Sequence, residues 1–413
     1  MSISNTRSII SAPIIYLIIC LVGLVCSALL ESRAYFLGFV ISFWGLLICN
    51  FREIKSKIFY SGLLFIIIVS AISFVLKLDS SLGRVLIYKI SFNILTDNLF
   101  TGVGSGEFKR VYLLYQARYF AQGEYSVKEL LLADNTTYVF NDYLQIVIEW
   151  GLAGWFIVIG YFYLLVKIIQ NGMKSYAFQE FLYSTCFVTV ITLSVAALFT
   201  PVYYKFPCLL LFLIALSWLF WHTYKAYLPP VLKYCLILTV LIGLLFTDGS
   251  QHMFKYRKYQ VFDNSIDLAK SGFKTEALTG LKSIYSDLEH DGYYLSIYGR
   301  QLANAGQIAD AIPILRQSLN EVSNSENYLA LADCYFALQQ YSNAETNYLK
   351  AISMVPNRFR PRFNLFNLYK QTGQINKEKL TGREILALPI KIPSPFINFI
   401  KLSVKHDLAH EQK

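Results

Sequence analysis

The chain has 413 residues, of which 55% are hydrophobic and only 15% charged, with a mean hydropathy of +0.43. That balance excludes an ordinary soluble chain and predicts a polytopic membrane protein. The net charge of +10 is spread along the chain, 17 Lys+Arg against 12 Asp+Glu before residue 250 and 20 against 15 from there on, so neither part argues for nucleic acid.

Apolar runs of membrane length follow one another at about 9–30, 34–50, 58–78, 143–169, 178–200, 204–221 and 231–247. A helix rises about 1.5 Å per residue, so roughly 20 residues cross a hydrocarbon core of about 30 Å. The first run is too long for the apolar part of a signal peptide, and a second run follows at once, so it reads as a retained span. Orientation comes from the basic loops. Arg7, the loop with Arg52, Lys55 and Lys57, the loop with Lys167 and Lys174, and the loop with Lys225 and Lys233 all read as cytoplasmic. The opposite side, the periplasm of a bacterium, then carries Arg33, the segment 79–140, the short loop near Pro201 and everything after 248. The seven cysteines form no C-x-x-C pair and read as small buried hydrophobes rather than a disulfide framework or a zinc site.

The segment 79–140 is too long and too aromatic to be a bare connection. Within it VYLLYQARYF (111–120) reads as an amphipathic helix lying at the membrane interface. Gly102, Gly104 and Gly106 lack the spacing of a dinucleotide loop. They fit either a tight turn or a backbone cradle for phosphate oxygens.

Next comes ADNTTYVFNDYLQIVIEWGLAG (133–154), which carries polar groups into an apolar run. At helical spacing Tyr138, Asn141, Asp142, Gln145 and Glu149 fall near one face. Such groups either hydrogen-bond neighbouring helices or line a wet cavity. Arg33 and Arg84 stand on the same side of the membrane. Each could snorkel to the interface; as a pair they could bind a lipid diphosphate bidentately. The five histidines, at 222, 252, 290, 406 and 410, all lie elsewhere. A general base here would be a carboxylate (Asp142, Asp134, Glu107 or Glu149) or a tyrosine.

From residue 250 a repeat emerges. Gly272, Gly306, Gln339 and Gly373 are 34, 33 and 34 apart, and Ala277, Ala311, Ala344 and Glu378 keep the same step. A period near 34 with small residues at a helix crossing predicts tetratricopeptide repeats over 250–388, stacked into a solenoid with a concave face. The stretch 389–413 has three prolines and reads as a tail with little order. The last repeat is basic, with Arg358, Arg360, Arg362, Lys370, Lys377, Lys379 and Arg383, which fits a solvated face or a contact with phosphates or anionic lipid. The fold class is therefore all-α: a polytopic helical membrane bundle of about seven spans over 1–249, with the large periplasmic loop 79–140, and a periplasmic tetratricopeptide solenoid.

Together, SR at 32–33, SLGR at 81–84, DNLFTGVGSGEF at 97–108 and FNDYLQ…EWGLAG at 140–154 resemble the O-antigen ligase and polymerase superfamily of bacterial inner membranes. Asn141, nine intervening residues, then Gly151 and Gly154 match a spacing of its ligases; where those carry histidine, this chain has Phe140. Members commonly have about ten or more spans against the seven counted here, so the resemblance implies a naturally short or truncated version, or one that needs a partner. It implies transfer of a glycan, with inversion, from an undecaprenyl-diphosphate carrier to a lipid, polymer or protein acceptor, as in lipopolysaccharide and surface-polysaccharide assembly. Arg33 and Arg84 would clamp the diphosphate. Gly104, Glu107, Tyr138, Gln145 and Glu149 would shape the substrate site. Asn141 and Asp142 would serve the chemistry, with no metal or cofactor. The repeats would offer a surface to a protein partner. Two other readings stand beside it. One is an inactive, membrane-anchored tetratricopeptide scaffold, favoured by Phe140. The other is a transporter, disfavoured because no inverted repeat and no helix broken inside the membrane is evident.

Overall fold

A computed structural model describes residues 32–50, 78–175, 177–224 and 249–410, with a few isolated positions between them. The apolar run expected at 231–247, all but one position of 9–30, most of 58–78, and the basic loops at 52–57 and 225–233 lie outside the described residues. Every regular element among those described is helical. Among the described residues the N-terminal helices are α1 (Arg33–Asn50), α2 (Leu78–Asp97), α3 (Phe108–Ala121), α4 (Val127–Leu132), α5 (Asp142–Lys174), α6 (Phe181–Ala196) and α7 (Phe206–Tyr224), with a short 3-10 turn at Ala177–Gln179. Then come α8 (Gly249–Lys270), α9 (Lys274–Ser283), α10 (Tyr285–Leu288), α11 (Gly292–Asn304), α12 (Ile308–Glu321), α13 (Ser325–Ala337), α14 (Tyr341–Met354), α15 (Phe359–Gln371), α16 (Ile375–Ala387) and α17 (Pro395–His410).

Contacts gather these elements into two units. One holds the chain through Arg84, Asn98–Gly102 and Tyr138–Thr239; the other holds Val85–Asp97, Val103–Thr137 and Val240–Lys413. The segment 79–140 therefore does not form a body of its own. Most of it belongs to the same unit as the C-terminal helices.

In the first unit α5 and α7 are long and apolar enough to cross a membrane, while α1 and α6 are shorter apolar helices. Phe156, Ile159 and Tyr163 on α5, and Leu211 and Ile214 on α7, are exposed, as lipid-facing side chains are. The other faces bury Leu46, Tyr183, Val190, Ala196 and Leu219 in a common core. Helix α1 packs on α6 where Gly38 meets the backbone of Thr192, and the Ser42 and Thr192 hydroxyls hydrogen-bond at 2.8 Å. A small residue with a polar pair beside it is a common way for membrane helices to approach closely.

Helix α5 is not continuous. Gly151 has φ 56° and ψ −130°, so the helix breaks after Trp150 and restarts at Leu152. The apolar sequence does not announce this break, because a lone glycine gives no warning of its backbone angles. The turn at 98–102 fills the break: Leu152 N–H donates to Phe100 O at 3.1 Å, and Gly102 lies against Glu149 O and Gly151 N. A methyl group built on either glycine would sit about 2.5 Å or less from opposing backbone, so two backbones meet there with no room for side chains.

In the second unit the helices pair in series, α8 with α9, α11 with α12, α13 with α14 and α15 with α16, and α17 closes on α16. The sequence repeat has a direct structural counterpart. Gly272, Gly306, Gln339 and Gly373 all take positive φ, at 91°, 81°, 58° and 67°. Ala277, Ala311, Ala344 and Glu378 are all buried, at 0%, 0%, 0% and 2% exposure. The stretch expected to carry little order holds α17, whose Ile400 and Val404 are fully buried.

The amphipathic stripe of α3 is present, but its partner is protein. Phe108, Tyr112, Leu113, Tyr119 and Phe120 are buried, and α3 packs on α14 and α12 rather than lying at a lipid interface. Much of the basic surface of the last repeat is also spent inside the unit. Arg358 pairs with Asp134 at 2.7 Å, Arg360 with Asp333 at 3.5 Å, Lys370 with Asp407 at 2.8 Å and Lys377 with Glu345 at 2.8 Å. Arg362 donates to Pro356 O, and burial draws its guanidinium pKa down.

Candidate functional site

The start of α5 gathers most of the polar groups that the sequence singles out. Asn141 is the N-cap; its Oδ1 accepts from Leu144 N–H at 3.0 Å. Asp142 is 2% exposed and bound to the turn after α6. Its N–H donates to Ala197 O at 2.8 Å, and its Oδ2 accepts from Val202 N–H at 2.8 Å and Tyr203 N–H at 3.0 Å. Its Oδ1 is buried and has no hydrogen-bond partner among the described residues. One carboxylate oxygen thus fixes the loop, and the other makes no hydrogen bond among the described residues.

One turn further, Gln145 is fully engaged. Its Oε1 accepts from Val139 N–H at 3.2 Å; its amide donates to Glu149 Oε1 at 2.9 Å and to the Tyr204 hydroxyl. Tyr204 donates to Glu149 Oε1 at 3.2 Å, and its ring packs on Tyr138 with centroids 4.8 Å apart. Tyr138, Gln145 and Glu149 therefore form one cluster, in which two donors meet a carboxylate that is 6% exposed. This is the arrangement expected of a costly charge just before a helix break.

Arg84 places its guanidinium 5.6 Å from the centroid of the Phe140 ring, which brings it beside the N-cap. Phe140 itself has φ 60°, an uncommon conformation for a bulky side chain and one that histidine and asparagine tolerate better. Arg33 opens α1, two residues before Tyr35. Lys205 lies 5.9 Å from the centroid of the Tyr35 ring and follows directly on Tyr203 and Tyr204. The 202–205 turn thus connects the start of α1 with the carboxylates of α5.

The other two expected residues belong to the second unit. Gly104 has φ 104° and its carbonyl accepts from Glu107 N–H at 3.2 Å. Glu107 precedes α3 and pairs locally with Arg110 at 2.5 Å.

Sequence reading missed Tyr204 and Lys205. Their sign is visible only in retrospect, as a polar VYYK (202–205) between two apolar runs, because nothing in the sequence says that this turn folds back 60 residues onto Asp142.

Residues 15–159 match the O-antigen ligase family. The O-antigen ligase domain thus takes in Arg33, Arg84, the glycine turn and the start of α5 with its break. It stops short of the 202–205 turn and of the helices from α8 onward. The family match and the apolar helices together make this a membrane protein. Comparison with curated proteins gave no match.

Proposed function

We propose that this protein transfers a glycan from an undecaprenyl-diphosphate carrier to an acceptor hydroxyl at the periplasmic face of the bacterial inner membrane. The O-antigen ligase match supports the reaction class. The observation that carries the site is the free, buried Oδ1 of Asp142 at a helix N-terminus beside Arg84. Arg33 and Arg84 hold the diphosphate, whose charge two permanent cations can match. Asn141 orients the acceptor hydroxyl, and Asp142 Oδ1 takes its proton. The acceptor oxygen attacks the anomeric carbon as the bond to the diphosphate breaks. The electron pair leaves with the diphosphate, where the arginines stabilise it, and the anomeric centre inverts. No cofactor is invoked. The acceptor is a lipid, a growing polymer or a protein. The serial helix pairs read as tetratricopeptide repeats in the periplasm.

Complementation of a surface-glycan ligase or polymerase deletion tests this, using wild type, Arg84→Ala and Asp142→Asn. Wild type restores the glycan and both variants fall by about 100-fold or more. Equal behaviour of all three removes the site. The alternative of an inactive scaffold is favoured by Phe140, which cannot take a proton. Phe140→His separates the two readings, since a gain in glycan transfer would mark a weakened enzyme rather than a scaffold.

A further inference from the structure

The segment 103–137 is stitched to the C-terminal helices by buried, specific contacts. Gln116, 1% exposed, donates from one amide nitrogen to Met354 O at 2.6 Å and Asp134 O at 3.2 Å. Asn357, 8% exposed, donates from Nδ2 to Leu130 O, Leu131 O and Ala133 O at 2.9, 3.1 and 2.7 Å. Those carbonyls end α4, a helix of six residues that is far too short to stand alone. Asn135 Oδ1 accepts from the Ser325 hydroxyl at 3.0 Å, and Lys109 O accepts from Ser323 N–H at 3.2 Å. The acceptors and donors on the C-terminal side come from the end of α14, the turns after α12 and α14, and the start of α13. The apolar stripe of α3 covers the same two helices.

We propose that the C-terminal helix pairs act in cis, as the seat of the chain's own extramembrane segment 103–137. The partner of the face made by α12 and α14 is this segment. Asn357 and Gln116 are its positioning residues. Two consequences follow. Segment 103–137 and the C-terminal helices lie on one side of the membrane, so an even number of crossings separates them; the apolar runs at 143–169, 178–200, 204–221 and 231–247 supply four. And Gly104 and Glu107, which open this segment within the same unit, depend on the C-terminal helices for their placement.

The test uses the full chain in membranes. Asn135→Cys with Ser325→Cys is oxidised and mapped by non-reducing peptide mass spectrometry, with each single variant as control. A linked 135–325 peptide is expected, and Glu124→Cys and Ser342→Cys, at exposed positions of the same two segments, should each react with an impermeant maleimide from the same side. Asn357→Ala is then probed by limited proteolysis at 122–126, where cleavage should rise about tenfold as α4 loses its cap. Absence of the linked peptide, or labelling from opposite sides, overturns the seat. Unchanged proteolysis in Asn357→Ala removes Asn357 from its role. A wild type that restores no glycan refutes the transfer reaction while the linked peptide still decides the seat.

Discussion

The start of α5 and the C-terminal helix pairs solve the same problem, how to bury polar backbone and side chains, in opposite ways. The helix pairs repeat one solution. A left-handed residue ends each first helix, a small residue admits the crossing, and the step of 33 or 34 residues recurs. The start of α5 uses each group once: Asn141 for its own helix, Asp142 for the 202–205 turn, Gln145 for Val139 and Glu149, Gly151 for the backbone of Phe100. A repeated device averages over errors. A set of single-use contacts fails when one member fails, and that is the kind of precision a reaction centre needs.

The sharpest way to break this contrast is Gly151→Ala. The new methyl would meet Gly102 N and Phe100 O at 2.5 Å each, at a φ of 56°. We expect a loss of about 3 kcal/mol or more and no glycan transfer, read by thermal unfolding in detergent and by complementation. An unchanged melting temperature would mean that the two backbones do not meet. Next in size is Asp142→Ala, which leaves the N–H groups of Val202 and Tyr203 unbonded, for about 2–4 kcal/mol. Asp142→Asn keeps an oxygen for those donors and should recover most of that stability while still failing in transfer. If Asn restores both, the carboxylate is structural only.

In the helix pairs the effects are smaller and can run upward. Gln339 stands at φ 58° where the other repeats have glycine, so Gln339→Gly should stabilise the C-terminal unit by about 1 kcal/mol. A lower melting temperature would show that the Gln339 side chain matters more than its backbone. The smallest effect is one of pH, at Glu129. Burial pulls its pKa up. The Ser126 N–H, Lys89, Tyr119 and the Ser126 hydroxyl outweigh that and set it at about 2. A depressed carboxylate contributes stability above its unfolded pKa and loses it as pH falls through the folded value. Amide exchange in 126–132 should therefore speed up between about pH 4.5 and 2 in wild type, but not in Glu129→Gln. Equal profiles would show that this carboxylate does not hold α4.

Much of this was legible in the sequence, and unevenly so. The period of the C-terminal half was visible because Gly272, Gly306 and Gly373 recur, and even the departure at Gln339 kept its place. The amphipathic face of α3 was visible too, but not what it covers, because a stripe of Phe108, Tyr112 and Tyr119 fits lipid or protein equally well. The polar face from Tyr138 to Glu149 came from helical spacing. Its internal wiring did not, since the Val202–Lys205 turn is brought in by tertiary folding alone. The break at Gly151 escaped notice because a glycine shows its permissiveness, not the angle it adopts.

That break changes the arithmetic of crossing the bilayer. From Leu152 to Lys174 the restarted helix runs 23 residues, about 34 Å of axis, which already exceeds a hydrocarbon thickness of about 30 Å. The nine residues before Gly151 are therefore surplus to the traverse. Asn141, Asp142, Gln145 and Glu149 can ride above the acyl chains on a separate short rod, so the oily slab never has to solvate them.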